Sequence, residues 1–224
     1  MLLIIGGGLL LLICFGPMAW ANLVLKRHAS ERSDFPGTGG ELARHLLDLA
    51  GLQHVGLETT ATGDHYSPKE KVVRLTKDRH DGRSLTAVAV AAHEVSHALQ
   101  DRDGYRPLKW RTHLAVIGSW GERIAHVLLI ASPASLLASP RLAMLQIAFG
   151  ITLMLGRVVL HLMTLPVEFD ASFKRALPIL EGGNYLKKED LAGAKAILRA
   201  CAWTYVAGAL FSVIDIVRWI RFGR

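Results

Sequence analysis

The clearest chemical signal in the chain is five consecutive residues, His93-Glu94-Val95-Ser96-His97. A helix turns about 100° per residue, so positions four apart return to within about 40° of each other and two imidazoles so placed can grip one metal ion. Glu94 projects about 60° from the direction of His97, near enough to reach a water on that ion yet outside the ligand pair. Zinc lowers the pKa of a bound water toward about 7, so a nearby carboxylate takes its proton while the oxygen attacks a peptide carbonyl. The same carboxylate then protonates the leaving amine. This H-E-x-x-H pattern assigns His93 and His97 to a metal, Zn2+ by its chemistry, and Glu94 to catalysis.

A chain with ten histidines can carry the pattern by chance, and most isolated histidines are structural. Its context argues otherwise. Ser84 to Leu99 is rich in alanine, lies between breakers at Gly82 and Gly104, and offers Ser84 as an N-cap, which predicts a helix. Val88, Val90, Ala91 and Val95 are available to bury it.

A catalytic zinc takes three protein ligands and keeps a fourth position open. Leu114 to Leu137 and Leu142 to Leu165 are apolar and joined by Ser132-Pro133 to Ser139-Pro140, as in a helical hairpin. A hairpin that leaves and re-enters one face brings its ends together, which puts Glu168 beside the motif helix as the third ligand. Asp170 and His161 are its rivals, and an acidic residue at a helix end is otherwise a solvated or dipole-related charge.

Five pieces carry these residues. Residues 1–25 begin with an uncharged run, Leu2 to Leu25, long enough to span a bilayer as an anchor. Ala19-Trp20-Ala21 looks like a signal-peptidase site, but the basic n-region is missing, so the anchor is expected to stay attached. Residues 26–112 form a soluble α+β piece: a polar linker from Ser30 to Gly40, an amphipathic helix over Glu41 to Ala50, strands near His54 to Thr60 and Lys71 to Thr76, turn-rich Ala61 to Pro68 between them, and the motif helix. Residues 113–165 are the hairpin, expected in the membrane although buried helices of a soluble domain remain an alternative. Residues 166–199 hold the third ligand, and residues 200–224 an apolar helix with a basic tail that fits a fourth span, an interfacial helix or a packed one.

Hydrophobic residues make up 51% of the chain and are clustered at its ends, and the mean hydropathy is +0.30, as for a membrane protein. The net charge of +7 is scattered along the borders of apolar segments, which favours anionic lipid headgroups over nucleic acid. Lys26, Arg27 and Arg32 after the first apolar run put the following domain in the cytoplasm by the positive-inside rule. Cys14 and Cys201 lie in apolar runs far apart, so no disulfide framework or cysteine metal site is indicated. Glu122 with His126, and Arg157 with His161, sit four apart within the hairpin. They line a wet cavity or, as the simpler expectation, form an ion-pair network holding it together.

The segments Asp64-His65-Tyr66-Ser67-Pro68, Lys71-Val72-Val73-Arg74-Leu75, Ser84 to Gln100 and Leu165-Pro166-Val167-Glu168-Phe169-Asp170-Ala171-Ser172 resemble the neutral zinc metallopeptidases known as YugP-like membrane proteases. More distantly they resemble membrane gluzincins related to the CAAX prenyl protease and HtpX. The similarity runs over nearly the whole chain, including Leu198 to Leu210. It implies a bacterial plasma-membrane endopeptidase in which Glu168, from the downstream E-x-x-A segment, is the third zinc ligand. Relatives place an Asp four residues after that Glu to support a metal histidine, where this chain has Ser172 and Asp170 is a potential substitute. The family tends to have Gly at the position of Ser96. Lys71 to Thr76 resembles the edge strand on which gluzincins lay a peptide, an ordinary sheet strand being the alternative. His65 and Tyr66 receive no role, and His161, Arg175 or Tyr185 are open candidates for an oxyanion stabiliser.

The fold expected is mainly α and membrane-embedded, with transmembrane helices and a small α+β zincin-like part carrying the H-E-x-x-H helix. Its substrates are proteins or peptides, membrane proteins among them. The alternative from another class is a non-hydrolytic metal-binding membrane scaffold or transporter, against which Glu94 argues, because a pure binding site needs no general base.

Overall fold

The computed structural model describes residues 2–222; the side-chain surroundings of residues 2–14, 219, 221 and 222 fall outside that description. In chain order the elements are α1 (Leu2–Arg27), α2 (Gly39–Leu49), β1 (Gly56–Thr60), β2 (His65–Ser67), β3 (Val72–Thr76), α3 (Lys77–His80), α4 (Leu85–Arg102), α5 (Arg106–Ala138), α6 (Pro140–Phe169), a π-helical turn (Asp170–Ala176), α7 (Leu177–Gly182) and α8 (Leu191–Phe222). They fall into two compact units. One comprises Pro17–Lys109 and Pro166–Thr204, the other Trp110–Leu165 with the segments up to Gly16 and from Tyr205 on.

The first unit is built around α4. Every residue from Leu85 to Gln100 is buried, so this helix is enclosed on all sides rather than along one stripe. Its alanines at 87, 89, 91, 92 and 98 allow neighbours to approach from every direction. Ser84 caps it as expected, its hydroxyl accepting from the Ala87 N–H at 3.1 Å. Buried Ser96 satisfies its own hydroxyl by donating to the Ala92 carbonyl at 2.7 Å. Leu46 and Leu47 of α2, Val73 and Leu75 of β3, Leu180 of α7 and Ile197 and Leu198 of α8 complete the same core.

The amphipathic helix α2 opens with a capping box, in which Thr38 Oγ1 accepts from the Glu41 N–H and the Glu41 carboxylate accepts from the Thr38 N–H. Directly after the cap, Gly39 packs onto backbone. A Cβ there would lie 2.3 Å from the Arg79 carbonyl oxygen and 2.8 Å from that of Ala87.

The sheet is mixed, in the order β1-β3-β2, with β1 parallel and β2 antiparallel to β3. Two expectations are corrected here. The segment read as turns contains β2, because Tyr66 buries its ring and donates a 2.8 Å hydrogen bond to Asp101 at the end of α4. As a result β3 is the central strand, an ordinary sheet strand as in the alternative above and not the peptide-binding edge that the resemblance implied, with its backbone engaged by β1 on one side and β2 on the other. The exposed edges belong to β1 and β2.

The apolar helices are longer than the apolar runs suggested. Among the described residues, three helical stretches are long and apolar enough to cross a membrane: Arg106–Ala138, Pro140–Gly182 and Leu191–Arg218. Only 11%, 17% and 33% of their most apolar windows are buried, and Leu137, Met144 and Ile130 are largely exposed, which is the surface of a lipid-facing helix rather than of a soluble core. The expected joint from Ser132 to Pro140 shrinks to Ser139. The helix runs through Pro133, which leaves the Leu129 carbonyl without its helical donor, and Ser132 Oγ donates to that carbonyl at 2.8 Å. Glu122 of α5 pairs with Arg157 of α6, the ion-pair tie expected of the hairpin. Most of the expected anchor, Leu2 to Leu25, has side chains outside the described residues; Ala19-Trp20-Ala21 lies within α1.

Thr38→Ala removes the cap oxygen and is expected to destabilise the protein by about 1 kcal/mol. Gly39→Ala forces two backbone segments apart and is expected to cost roughly 1–3 kcal/mol. Thermal unfolding in detergent should rank them in that order, and a Gly39→Ala protein as stable as wild type would refute the close approach of this backbone.

Candidate metal centre

His93 and His97 stand on the same face of α4, their rings edge to face with centroids 4.8 Å apart. Glu168 comes from the last turn of α6, just after Pro166, whose missing N–H leaves the Leu162 carbonyl without its helical bond. All three side chains are buried, Glu168 completely. Glu168 Oε2 lies 3.2 Å from His93 Nε2 and 3.5 Å from His97 Nε2. One ligand atom from each of the three lies within 4.8 Å of the others. Glu94 follows His93 on the helix and is buried beside this group, with 6% of its surface exposed.

Hydrogen bonds behind the imidazoles fix their chemistry. Gln100 Nε2 donates to the Val167 carbonyl and to Asp170 Oδ2, both at 2.8 Å and both pure acceptors. Gln100 Oε1 therefore faces His97 Nδ1 at 2.9 Å and accepts its N–H. Ser172 Oγ gives its only proton to the Leu198 carbonyl at 3.1 Å, so toward His93 Nδ1, at 3.2 Å, it accepts. Each ring thus carries a proton on Nδ1, which makes Nε2 the atom available to a metal, and both Nε2 atoms face Glu168.

Two imidazole Nε2 atoms and a carboxylate converging in a buried space call for a proton or a cation between them. The spacing suits a small divalent ion. Ligand atoms about 2.0–2.1 Å from a tetrahedral zinc stand roughly 3.3 Å apart, and the two separations to Glu168 Oε2 bracket that edge. Two imidazoles and one carboxylate, with a fourth position left to solvent or substrate, are also a donor set that zinc accepts in hydrolytic sites.

Neither rival third ligand joins the group. Asp170 is held by Gln100 and by Arg175 Nε at 2.9 Å, and His161 lies in the other compact unit against Gly208. Of the oxyanion candidates, Arg175 is bound to Asp170 and, through Nη1 at 2.6 Å, to Asp103, while the Tyr185 hydroxyl meets His45 Nε2 at 3.0 Å. Hydrogen bonds from Arg175 and Arg102 hold the Asp103 carboxyl below its usual range, and burial together with the Asp101 bond pushes the Tyr66 hydroxyl up.

The sequence did not reveal Gln100 or Ser172 as supports. Gln100 lies three residues after His97, a spacing that shares a helix face and was the available signal. For Ser172 the signal was its place four residues after Glu168, where the resemblance implies a supporting aspartate; it lies in the π-helical turn, in which the Leu177 N–H bonds back five residues to the Ser172 carbonyl.

A family model described as "Putative neutral zinc metallopeptidase" matches residues 2–224. "Putative membrane protease YugP" of Bacillus subtilis (strain 168) is 35% identical over 217 residues, covering 94% of this chain and 93% of that protein. No solved structure matches. The family implies Zn2+ as the cofactor, in agreement with the donor set of two histidines and a glutamate. Matched from residue 2 to its last residue, and similar to a membrane protease along almost its full length, the chain belongs to the family described as "Putative neutral zinc metallopeptidase".

Proposed function

We propose that this protein is a membrane-anchored, zinc-dependent endopeptidase in which His93, His97 and Glu168 hold the metal and Glu94 is the general base. The observation that carries this reading is the convergence of two imidazole Nε2 atoms and a buried carboxylate at separations a tetrahedral zinc requires. When bound, zinc supplies a Lewis acid that acidifies a water and polarises a peptide carbonyl. The chain's own residues do the rest. Glu94, one position along from His93, takes the proton of the attacking water and passes it to the amide nitrogen as the bond to carbon breaks. Burial beside apolar α4 neighbours keeps bulk water from competing for that proton.

Peptide or protein substrates follow from the family, and the lipid bilayer is the protein's other partner. The basic residues Lys26, Arg27 and Arg32 after α1 support a cytoplasm-facing site by the positive-inside rule. A non-hydrolytic scaffold or transporter is disfavoured by Glu94, which such a site has no use for. The anchor over residues 1–25 is part of this proposal.

Glu94→Gln is expected to retain one zinc per chain and lose at least about 100-fold in cleavage of an unfolded model protein, the scale of a lost general base. Glu168→Ala is expected to lose zinc itself. Metal analysis of the purified proteins alongside a cleavage assay separates the two. Full zinc occupancy in Glu168→Ala would sink the third-ligand assignment, and undiminished cleavage by Glu94→Gln would restore the scaffold reading.

Orientation has its own test. Lys187 and Lys188 are exposed in the loop before α8, so trypsin is expected to cut there in inverted plasma-membrane vesicles and to spare the site in right-side-out ones. The opposite pattern would place the metal centre outside.

A further inference from the structure

We propose that Gln100 and Ser172 are the positioning residues of the metal centre: each fixes the proton of one imidazole on Nδ1, and Gln100 in addition locks the helix end that presents Glu168. The inference rests on the zinc reading above and concerns residues that touch neither metal nor substrate.

Gln100 is fully buried, and its amide is saturated. Its oxygen accepts from His97, and its two N–H groups go to the Val167 carbonyl and Asp170. A flipped amide would set N–H against N–H and oxygen against two acceptors, losing all three bonds at once, so the orientation has no alternative. Val167 directly precedes Glu168. One side chain therefore joins the second histidine to the backbone that carries the third ligand, across 67 residues of sequence.

Asp170 anchors the amide and is itself anchored. Arg175 bonds it through Nε and reaches Asp103 through Nη1, and Asp103 is also bonded by Arg102. The chain Asp103-Arg175-Asp170-Gln100-His97 runs from the C-terminal cap of α4 through the π-helical turn and back to α4. On the other ring Ser172 does the same task with a shorter reach, its hydroxyl fixed by the Leu198 carbonyl of α8. The Ser172 hydroxyl thus has its direction set by the neighbouring helix, and the nearby carboxylate, Asp170, serves the opposite histidine through Gln100.

The test uses the full-length zinc-loaded protein in detergent, with Gln100→Met, which keeps the volume, and Ser172→Ala. Zinc affinity is measured by chelator competition, and the imidazole N–H signals by ¹⁵N-edited NMR. Wild type should show exchange-protected Nδ1–H signals at His93 and His97. Gln100→Met should lose protection at His97 alone and Ser172→Ala at His93 alone, each with zinc bound about 10–100-fold more weakly, as for other outer partners of metal-bound histidines. A residue that only fills space would move melting temperature without this crossed pattern. Nε2–H signals in wild type, or unchanged zinc affinity and protection in the variants, would overturn the proposal. If Gln100→Met does not fold, Ser172→Ala decides the matter through His93 by the same two readouts. Failure of wild type to take up zinc would instead bring down the zinc reading, and this role with it.

Discussion

Three groups that would repel one another without a proton or a cation between them are held together in a buried place. His93 and His97 turn their Nε2 atoms toward the buried Glu168 carboxylate, and every neighbouring choice in the first unit bears on keeping them there. In bulk solvent such a cluster would separate or fill with water. Inside a core it persists because each member is fixed from behind: the rings by Gln100 and Ser172, the carboxylate by its seat at the end of α6. The chain commits a large share of its buried polar groups here. A cation entering the centre removes the repulsion and adds its own bonds, so metal affinity and stability of this unit are one quantity seen from two sides.

That demand explains the unusual character of α4. A helix that presents the two histidines of a candidate metal site must not rotate, and an amphipathic helix lying on a surface would be free to. Enclosure from Leu85 to Gln100 removes that freedom, and alanine is what makes enclosure possible, since larger side chains would hold neighbours too far away to meet on all sides. The close approach at Gly39 belongs to the same logic, bringing the start of α2 against the Ala87 backbone. The sheet adds its part through Tyr66, which binds Asp101 at the far end of the helix.

Much of this was legible in the sequence, where local rules decide. The H-E-x-x-H spacing, the Ser84 cap and the breakers at Gly82 and Gly104 are short-range features, and α4 follows from them. Glu168 was reachable because a hairpin constrains where its ends emerge. What was not legible depends on pairings distant in sequence. β2 has three residues and exists because Tyr66 finds Asp101. Its presence makes β3 central, which no periodicity within β3 could announce. The break expected at Pro133 was overridden by one hydroxyl that met the orphaned Leu129 carbonyl. Gln100 gave a helical spacing but no hint of its partners, which lie some seventy residues away.

The contribution of α6 sets a register requirement that composition alone would not suggest. The same helix that is apolar enough to cross a membrane ends in the residue that faces the two histidines. Along a helix one residue gained or lost turns everything after it by about 100°. A carboxylate so displaced would point away from both imidazoles. Leu165, Pro166 and Val167 therefore carry a phase as well as a length: Val167 hands its carbonyl to Gln100, Asp170 bonds the same amide, and Ser172 meets His93. Positions 168 and 172, four apart, share a face toward the histidines, whereas 170, two from each, lies toward the other side and serves the centre through the length of the Gln100 side chain. A single stretch of chain thus serves both histidines, one directly and one through an amide.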